Sequence, residues 1–259
     1  MRVTILGCGG SGGVPLIGGH WGACDPANPR NRRRRVSVHI EGHGASVLLD
    51  SSPDLRAQLL DAGIDRLDAV LFTHDHADHC HGIDDLRFLK PRHQGSPIEA
   101  WGNADTMAVL EQRFDYIFRQ NEVGSGVLYR PFLAARRLAG PFKIAELSVT
   151  PFQQQHGMGS TSTGYRLGTM AYSTDVVGFD ADAFRVLDAL DLWIVDCLRF
   201  EPHPTHAHFE LVLEWVERIR PKRTILTHMN HTVDYEEIAR RCPPGVEPAY
   251  DGLTIELSD

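Results

Sequence analysis

The sequence predicts an α/β fold with mixed sheets, and three observations predict it. Short β-rich apolar runs alternate with helical patterns along the chain, the helical patterns gather apolar residues on one face, and no Gly-, Pro- or Ser-rich linker divides them. The expectation is one domain over residues 1–259. The Gly-rich stretch at 7–22 lies too near the start to be a linker. No repeat at a solenoid period is evident, although one strand-rich half followed by another is compatible with an old duplication.

In chain order, β-rich runs stand at 2–7, 36–41 and 46–50. A helical pattern follows at 53–63, where Pro53 suits a first turn and Gly63 suits an end. The run at 68–73 leads to a helical pattern at 81–90, and the run at 97–101 to another at 103–120. Runs at 146–152 and 163–174 precede a helix at 180–188, and 191–196 precedes one at 208–219. Strand 222–227, helix 234–241 and strand 253–257 close the chain. The clearest helix puts Phe209, Val212, Leu213, Val216 and Ile219 on one face, as a helix packed on a sheet requires. The aromatic set Phe114, Tyr116 and Phe118 reads as core.

Composition narrows the function classes. An apolar fraction of 42% over 259 residues supplies an ordinary core. A formal net charge of −8 argues against a broad nucleic-acid surface, while leaving room for a nucleotide or phosphate in a local basic pocket. No apolar run approaches the roughly 18–20 residues that span a bilayer. The chain runs directly into Val3-Thr4-Ile5-Leu6, so no secretory signal is expected and the expected location is the cytoplasm. Five dispersed cysteines (Cys8, Cys24, Cys80, Cys197, Cys242) without a CxxC pair do not make a disulfide framework. Oligomeric state is open, with a homodimer possible. The anomaly is fourteen histidines, several of them clustered.

The densest cluster is Thr73-His74-Asp75-His76-Ala77-Asp78-His79, directly after the apolar run Ala69-Val70-Leu71-Phe72. A strand end is rigid, and the loop behind it can aim several side chains at one point. Imidazole and carboxylate are ligands that borderline divalent metals prefer. Four candidate ligands (His74, His76, Asp78, His79) within six residues exceed what one ion with an open position needs, which suggests two ions. The bland alternative is a solvated His-rich loop.

His74-x-His76-x-Asp78-His79 resembles the signature of the metallo-β-lactamase superfamily, whose fold is a four-layer αββα sandwich with two mixed sheets. The likeness continues in the family's order through His156, Asp175 (closing Ala171-Tyr172-Ser173-Thr174) and His228 (closing Thr224-Ile225-Leu226-Thr227). The resemblance implies that His74, His76 and His156 hold a first metal and that Asp78, His79 and His228 hold a second. Asp175 would bridge the two. Two divalent ions per chain are thus expected, Zn²⁺ or Mn²⁺, with Fe²⁺ possible.

Within the superfamily, Asp196-Cys197, Thr205-His206-Ala207-His208 and Arg223 to His231 are similar to the phosphoribosyl cyclic phosphodiesterase branch. So are Gly7-x-Gly9-Gly10-x-x-Gly13-Val14-Pro15 and Gly82-x-x-x-Leu86-Arg87. This likeness implies that His206 contacts the scissile phosphate and donates a proton, with His208 as a neighbour that could cap the helix instead. Relatives of this branch often carry a separate structural zinc on clustered cysteines and a late histidine. This sequence keeps Cys24 and His231, with His20 nearby, but not the cysteine cluster, and a closed zinc site wants four ligands.

The basic run Arg30, Arg32, Arg33, Arg34 and Arg35 reads either as a solvated face or as a pocket mouth in which Arg35 holds an anion. Arg87 has the same choice between an ion pair with Asp84 or Asp85 and a phosphate contact.

The expected chemistry is in-line attack of a metal-activated hydroxide, with Asp78 holding metal and His206 as general acid. Asp50, ending Val47-Leu48-Leu49, could orient a ligand imidazole or simply cap a helix. The substrate class is a phosphodiester, cyclic or nucleotide-like. The alternatives are a tRNA 3′-end endonuclease, a thioester or β-lactam hydrolase of the same fold, or a non-catalytic metal- or ligand-binding carrier. No basic arm for tRNA is evident in the sequence.

Overall fold

The computed structural model describes residues 1–91, 97–119 and 132–258, so the final position of the 103–120 helical reading lies outside the described residues. The chain opens with β1 (Arg2–Gly7), β2 (Ser37–Gly42), β3 (Ala45–Leu49) and helix α1 (Leu55–Ala62). Next come β4 (Arg66–Leu67), β5 (Ala69–Leu71), the single-turn α2 (Ala77–Cys80), a 3-10 segment at Ile83–Phe88 and β6 (Lys90–Pro91). β7 (Ile98–Gly102), α3 (Ala104–Arg113), α4 (Asp115–Phe118) and β8 (Leu133–Arg137) follow. The second half begins with β9 (Phe142–Ile144), β10 (Leu147–Gly157), β11 (Ser160–Leu167), β12 (Met170–Ser173) and α5 (Ala181–Val186). It ends with β13 (Leu192–Asp196), α6 (Phe209–Ile219), β14 (Arg223–Thr227), α7 (Tyr235–Arg241), β15 (Val246–Pro248) and β16 (Thr254–Glu256).

Two seven-stranded sheets result, ordered β16-β1-β2-β3-β5-β7-β8 and β15-β14-β13-β12-β11-β10-β9. In each, three antiparallel pairings give way to three parallel ones, with the switch at β3 and at β12. Side chains alternate across a strand, and β3 and β5 use both faces. Ala45, Val47, Leu49, Ala69 and Leu71 enter one core with Val149, Tyr165 and Tyr172 of the other sheet, whereas Leu48 and Val70 enter a second core with Leu55 and Leu59 of α1 and Met107 and Leu110 of α3. On the far side, Trp215 of α6 meets Trp193 of β13, ring centroids 6.4 Å apart, and Phe179 at 4.7 Å. The layers are therefore helix, sheet, sheet, helix: the αββα metallo-β-lactamase sandwich. Among the described residues no helix is long and apolar enough to cross a membrane.

Several elements differ from the sequence reading. The 81–90 pattern forms a 3-10 segment, and the 103–120 pattern breaks at Phe114, where φ is −123° and ψ 40°. The run 163–174 is two antiparallel strands turned at Gly168, whose φ is +58°. β8 was not visible in sequence, because Leu-Ala-Ala-Arg-Arg lacks both alternation and β-branched residues.

Candidate metal centre

The site lies where strands of both sheets end. Asp50 follows β3, the 74–79 loop follows β5, Asp175 follows β12, Asp196 ends β13 and His228 follows β14. Carboxyl ends beside a switch in strand direction are natural places for a binding crevice. Asp50, Asp175 and His228 all take left-handed backbone, with φ of 58°, 53° and 59°. That conformation costs roughly 1–2 kcal/mol per non-Gly residue and turns the chain sharply as each strand stops.

Seven side chains converge. Ligand atoms of His74, His76, His156 and Asp175 lie within 4.8 Å of one another, and so do those of Asp78, His79 and His228. Asp175 divides its oxygens between the groups. Its Oδ2 lies 3.5 Å from His74 Nε2 and 3.5 Å from His156 Nε2, and its Oδ1 lies 3.1 Å from His79 Nε2 and 3.3 Å from His228 Nε2. Asp78 Oδ2 faces the second group alone, 3.3 Å from His79 Nε2 and 3.4 Å from His228 Nε2. All of these are buried except His76, which is exposed and reaches His156 Nε2 with its Nδ1 at 3.4 Å.

Hydrogen bonds behind the cluster fix the rings. Asp50 accepts from Thr73 N at 2.8 Å and Thr73 Oγ1 at 2.9 Å, and its Oδ2 lies 2.8 Å from His79 Nδ1. With its Nδ1 facing Asp50, the His79 ring turns Nε2 toward the centre. The Thr205 carbonyl, 2.9 Å from His156 Nδ1, does the same for that ring. Ser162 Oγ donates to Asp175 O at 2.9 Å and Thr174 Oγ1 to Asp175 Oδ1 at 2.9 Å. Arg113 of α3 grips the loop through Asp75, 2.9 Å from its carboxylate and 2.6 Å from its carbonyl.

The charges are mutually dependent. Burial opposes charge on His79, but Asp175, Asp78 and Asp50 outweigh it and raise its pKa well above the usual value. His228 is raised to about 9, with Asp175 and Asp78 outweighing burial. Burial, and then His79, pushes His74 well down. Burial alone would raise Asp175, yet His228 and His79 hold it well below the usual carboxylate range.

The residues fit divalent metal ions. His74 Nε2 is buried without a hydrogen-bond partner, an expensive condition that a cation at this lone pair removes. The donor set, imidazole plus carboxylate, is the one such ions take.

His206 borders both groups. Its ring stacks on His228 at 4.8 Å and its Nε2 stands 3.9 Å from Asp175 Oδ2. Asp196 Oδ2, 3.0 Å from His206 Nδ1, orients the ring, while its Oδ1 lies 3.7 Å from His228 Nδ1. The roles of Asp196 and of the Thr205 carbonyl were not read from sequence. For Asp196 the signal was available, a carboxylate closing an apolar strand just as Asp50 does.

The remaining expected site residues are placed elsewhere. Arg35 is held bidentately by Asp54, at 2.7 and 2.9 Å, so its fork is already occupied. Arg87 pairs with Asp84 at 3.2 Å and lies over Phe88. His208 precedes α6 with no side-chain capping bond, its backbone bridged to Arg199. Cys24 and His231 do not fit a structural zinc. The Cys24 thiol donates to the carbonyls of His231 at 3.5 Å and Val233 at 3.2 Å, and neither residue joins a ligand group among the described residues.

Comparison with known proteins identifies the family. The family model described as a beta-lactamase superfamily domain matches residues 45–229. A crystal structure described as a new diphosphatase from the PhnP family is 34% identical, covers 99% of this chain and 98% of that one, and superposes with a TM-score of 0.87. Zn²⁺-bound PqqB from Methylobacterium extorquens shares the fold at 21% identity and a TM-score of 0.74, over 99% of this chain and 100% of that one. A protein of Porphyromonas gingivalis named octanoyltransferase is 34% identical over 262 residues, 100% of this chain and 52% of that protein, so the chain spans about half of that relative's length. With this sandwich, the chain belongs to the beta-lactamase superfamily, in its PhnP-like branch.

Proposed function

We propose that the chain hydrolyses phosphodiesters, cyclic or nucleotide-like, at a centre of two divalent ions. The observation that carries the reading is Asp175, whose two oxygens serve two ligand groups bordered by an oriented His206. His74, His76 and His156 would hold one ion, Asp78, His79 and His228 the other, and Asp175 both. Ions bound there would supply Lewis acidity toward phosphoryl oxygens and activate water for attack. The His/Asp donor set accepts Zn²⁺, Mn²⁺ or Fe²⁺, and availability decides among them.

The chain's own part is orientation and proton supply. Asp196 fixes the His206 ring through Nδ1, so Nε2 points across Asp175 toward the place a leaving oxygen would occupy. Burial of the carboxylates and imidazoles excludes water that would weaken their field.

The test follows from leaving-group chemistry. An alkoxide needs a proton to depart, whereas p-nitrophenolate does not. His206→Ala is expected to keep its metals and to lose about 10²–10⁴-fold in turnover on an alkyl or ribose diester, with a smaller loss on bis(p-nitrophenyl) phosphate. Equal turnover of wild type and variant on the alkyl diester removes His206 from the chemistry.

Diphosphate hydrolysis is a second reading, favoured by the relative described as a diphosphatase. Phosphate leaves more easily than alkoxide, so a diphosphate substrate would tolerate His206→Ala. Acyl transfer finds less support. The octanoyltransferase name covers a protein about twice as long, and burial raises the thiol pKa of Cys8, Cys24, Cys80, Cys197 and Cys242, away from the reactive thiolate. Thioester turnover without phosphodiester turnover would favour it.

A further inference from the structure

Arg33 is a buried charge that the site chemistry leaves unused. It is 2% exposed, and among the described residues no carboxylate lies within ion-pair distance of its guanidinium. Nη1 donates to Asn230 O at 3.1 Å and lies 3.9 Å from Cys24 Sγ, Nη2 donates to Asn31 Oδ1 at 3.3 Å, and Nε has no partner. Asn31 relays the charge, its Nδ2 donating to Asp234 Oδ2 at 2.6 Å, and Asp234 in turn caps α7. Stripping a guanidinium of water without an ion pair is costly, so its surroundings must gain from it.

What it grips is the turn behind His228. Met229 N donates to Cys8 O at 2.9 Å, Gly10 N to Met229 O at 3.3 Å and Asn230 N to Leu198 O at 3.0 Å, and the Asn230 carbonyl takes Arg33. Arg33 is itself pinned to the N-terminal loop by paired bonds with Val14, at 2.8 and 2.9 Å. The left-handed backbone of His228 is thus held from the far side by a charged donor on a loop segment bridged to Val14.

We propose that Arg33 is a positioning residue for His228, its fixed guanidinium holding the turn after His228 through the Asn230 carbonyl, and that Cys24 and His231 beside it hold no metal ion. The inference rests on His228 being a ligand of the second ion. A guanidinium beside the Cys24 thiol repels a metal cation, and the thiol already donates to two carbonyls.

The test combines elemental analysis with stepwise chelator competition on the full chain. Wild type is expected to hold two ions, and the double variant Cys24→Ser, His231→Ala to hold the same two. Arg33→Met is expected to weaken the ion on Asp78, His79 and His228 by about 10–100-fold, and the ion on His74, His76 and His156 by less than about threefold, with Arg33→Lys recovering part of the loss. A merely structural role would lower the melting temperature of the metal-free chain without separating the two affinities. Should Arg33→Met not fold, Arg33→Lys and the double variant carry the same readouts. Loss of one ion per chain in the double variant, or equal weakening of both ions in the Arg33 variants, overturns the proposal. A wild-type chain that binds no second ion and turns over no phosphodiester overturns the underlying reading instead.

Discussion

Asp175 is the residue on which the centre turns, because each of its oxygens faces a different ligand group. Asp175→Ala is expected to lose metal and activity together, whereas His206→Ala loses activity alone, and metal content measured beside turnover separates them. Away from the centre, His39 is buried on β2 with Nε2 2.8 Å from Ser46 Oγ, and burial, then Arg2, lowers its pKa from 6.5 to about 4. The unfolded chain therefore binds a proton near pH 6.5 that the folded chain refuses until about pH 4. Stability from this group is full above pH 6.5 and falls as pH drops toward 4, by roughly 3 kcal/mol. His39→Gln should flatten the stability profile across that window in denaturant titrations, and an unchanged slope would count against it. Most candidate ligands were legible because they sit at or just behind an apolar strand, whereas His156, which follows Gln153-Gln154-Gln155, was found through the resemblance. The hydrogen-bonding partners were less so, since a backbone carbonyl such as that of Thr205 leaves no residue-type signal.

Among the elements, the end of β10 shows how a strand delivers a ligand. His156 is its penultimate residue, and Gly157 has a φ of +82°. A Cβ at Gly157 would stand 2.1 Å from the Pro204 carbonyl, so the loop carrying Thr205 and His206 can approach only a glycine. Gly157→Ala is expected to displace that loop, weakening metal affinity about 10-fold through His156 and lowering turnover through His206. Wild-type chelator competition in that variant would contradict the packing described. A milder effect is expected at the end of α6, where Arg220 caps the helix with a φ of +55°. Arg220→Gly should raise stability by about 0.5–1 kcal/mol, read from the denaturation midpoint. Strong periodicity made α6 plain in the sequence; the turn at Gly168 had a local signal in the glycine itself, whose φ is +58° in open space, and the break at Phe114 had none.

For the whole molecule, the ligands come from both sheets: His74, His76, Asp78 and His79 from the first, and His156, Asp175 and His228 from the second. Bound ions would therefore join the two halves across the interface between them, and anything binding only the folded state stabilises it. Chelation is expected to lower the melting temperature, with divalent metal restoring it. An unchanged melting temperature after demonstrated metal removal would mean that the halves do not need the join. The sandwich itself was legible from alternating elements and the resemblance, and the paired antiparallel-to-parallel switch in each sheet agrees with an old duplication. The proposed two-ion centre predicts metal in pairs. Elemental analysis of chain purified without chelator should find two divalent transition-metal ions per chain, falling in Asp175→Ala. Native protein free of such ions, and unable to take them up, would contradict it.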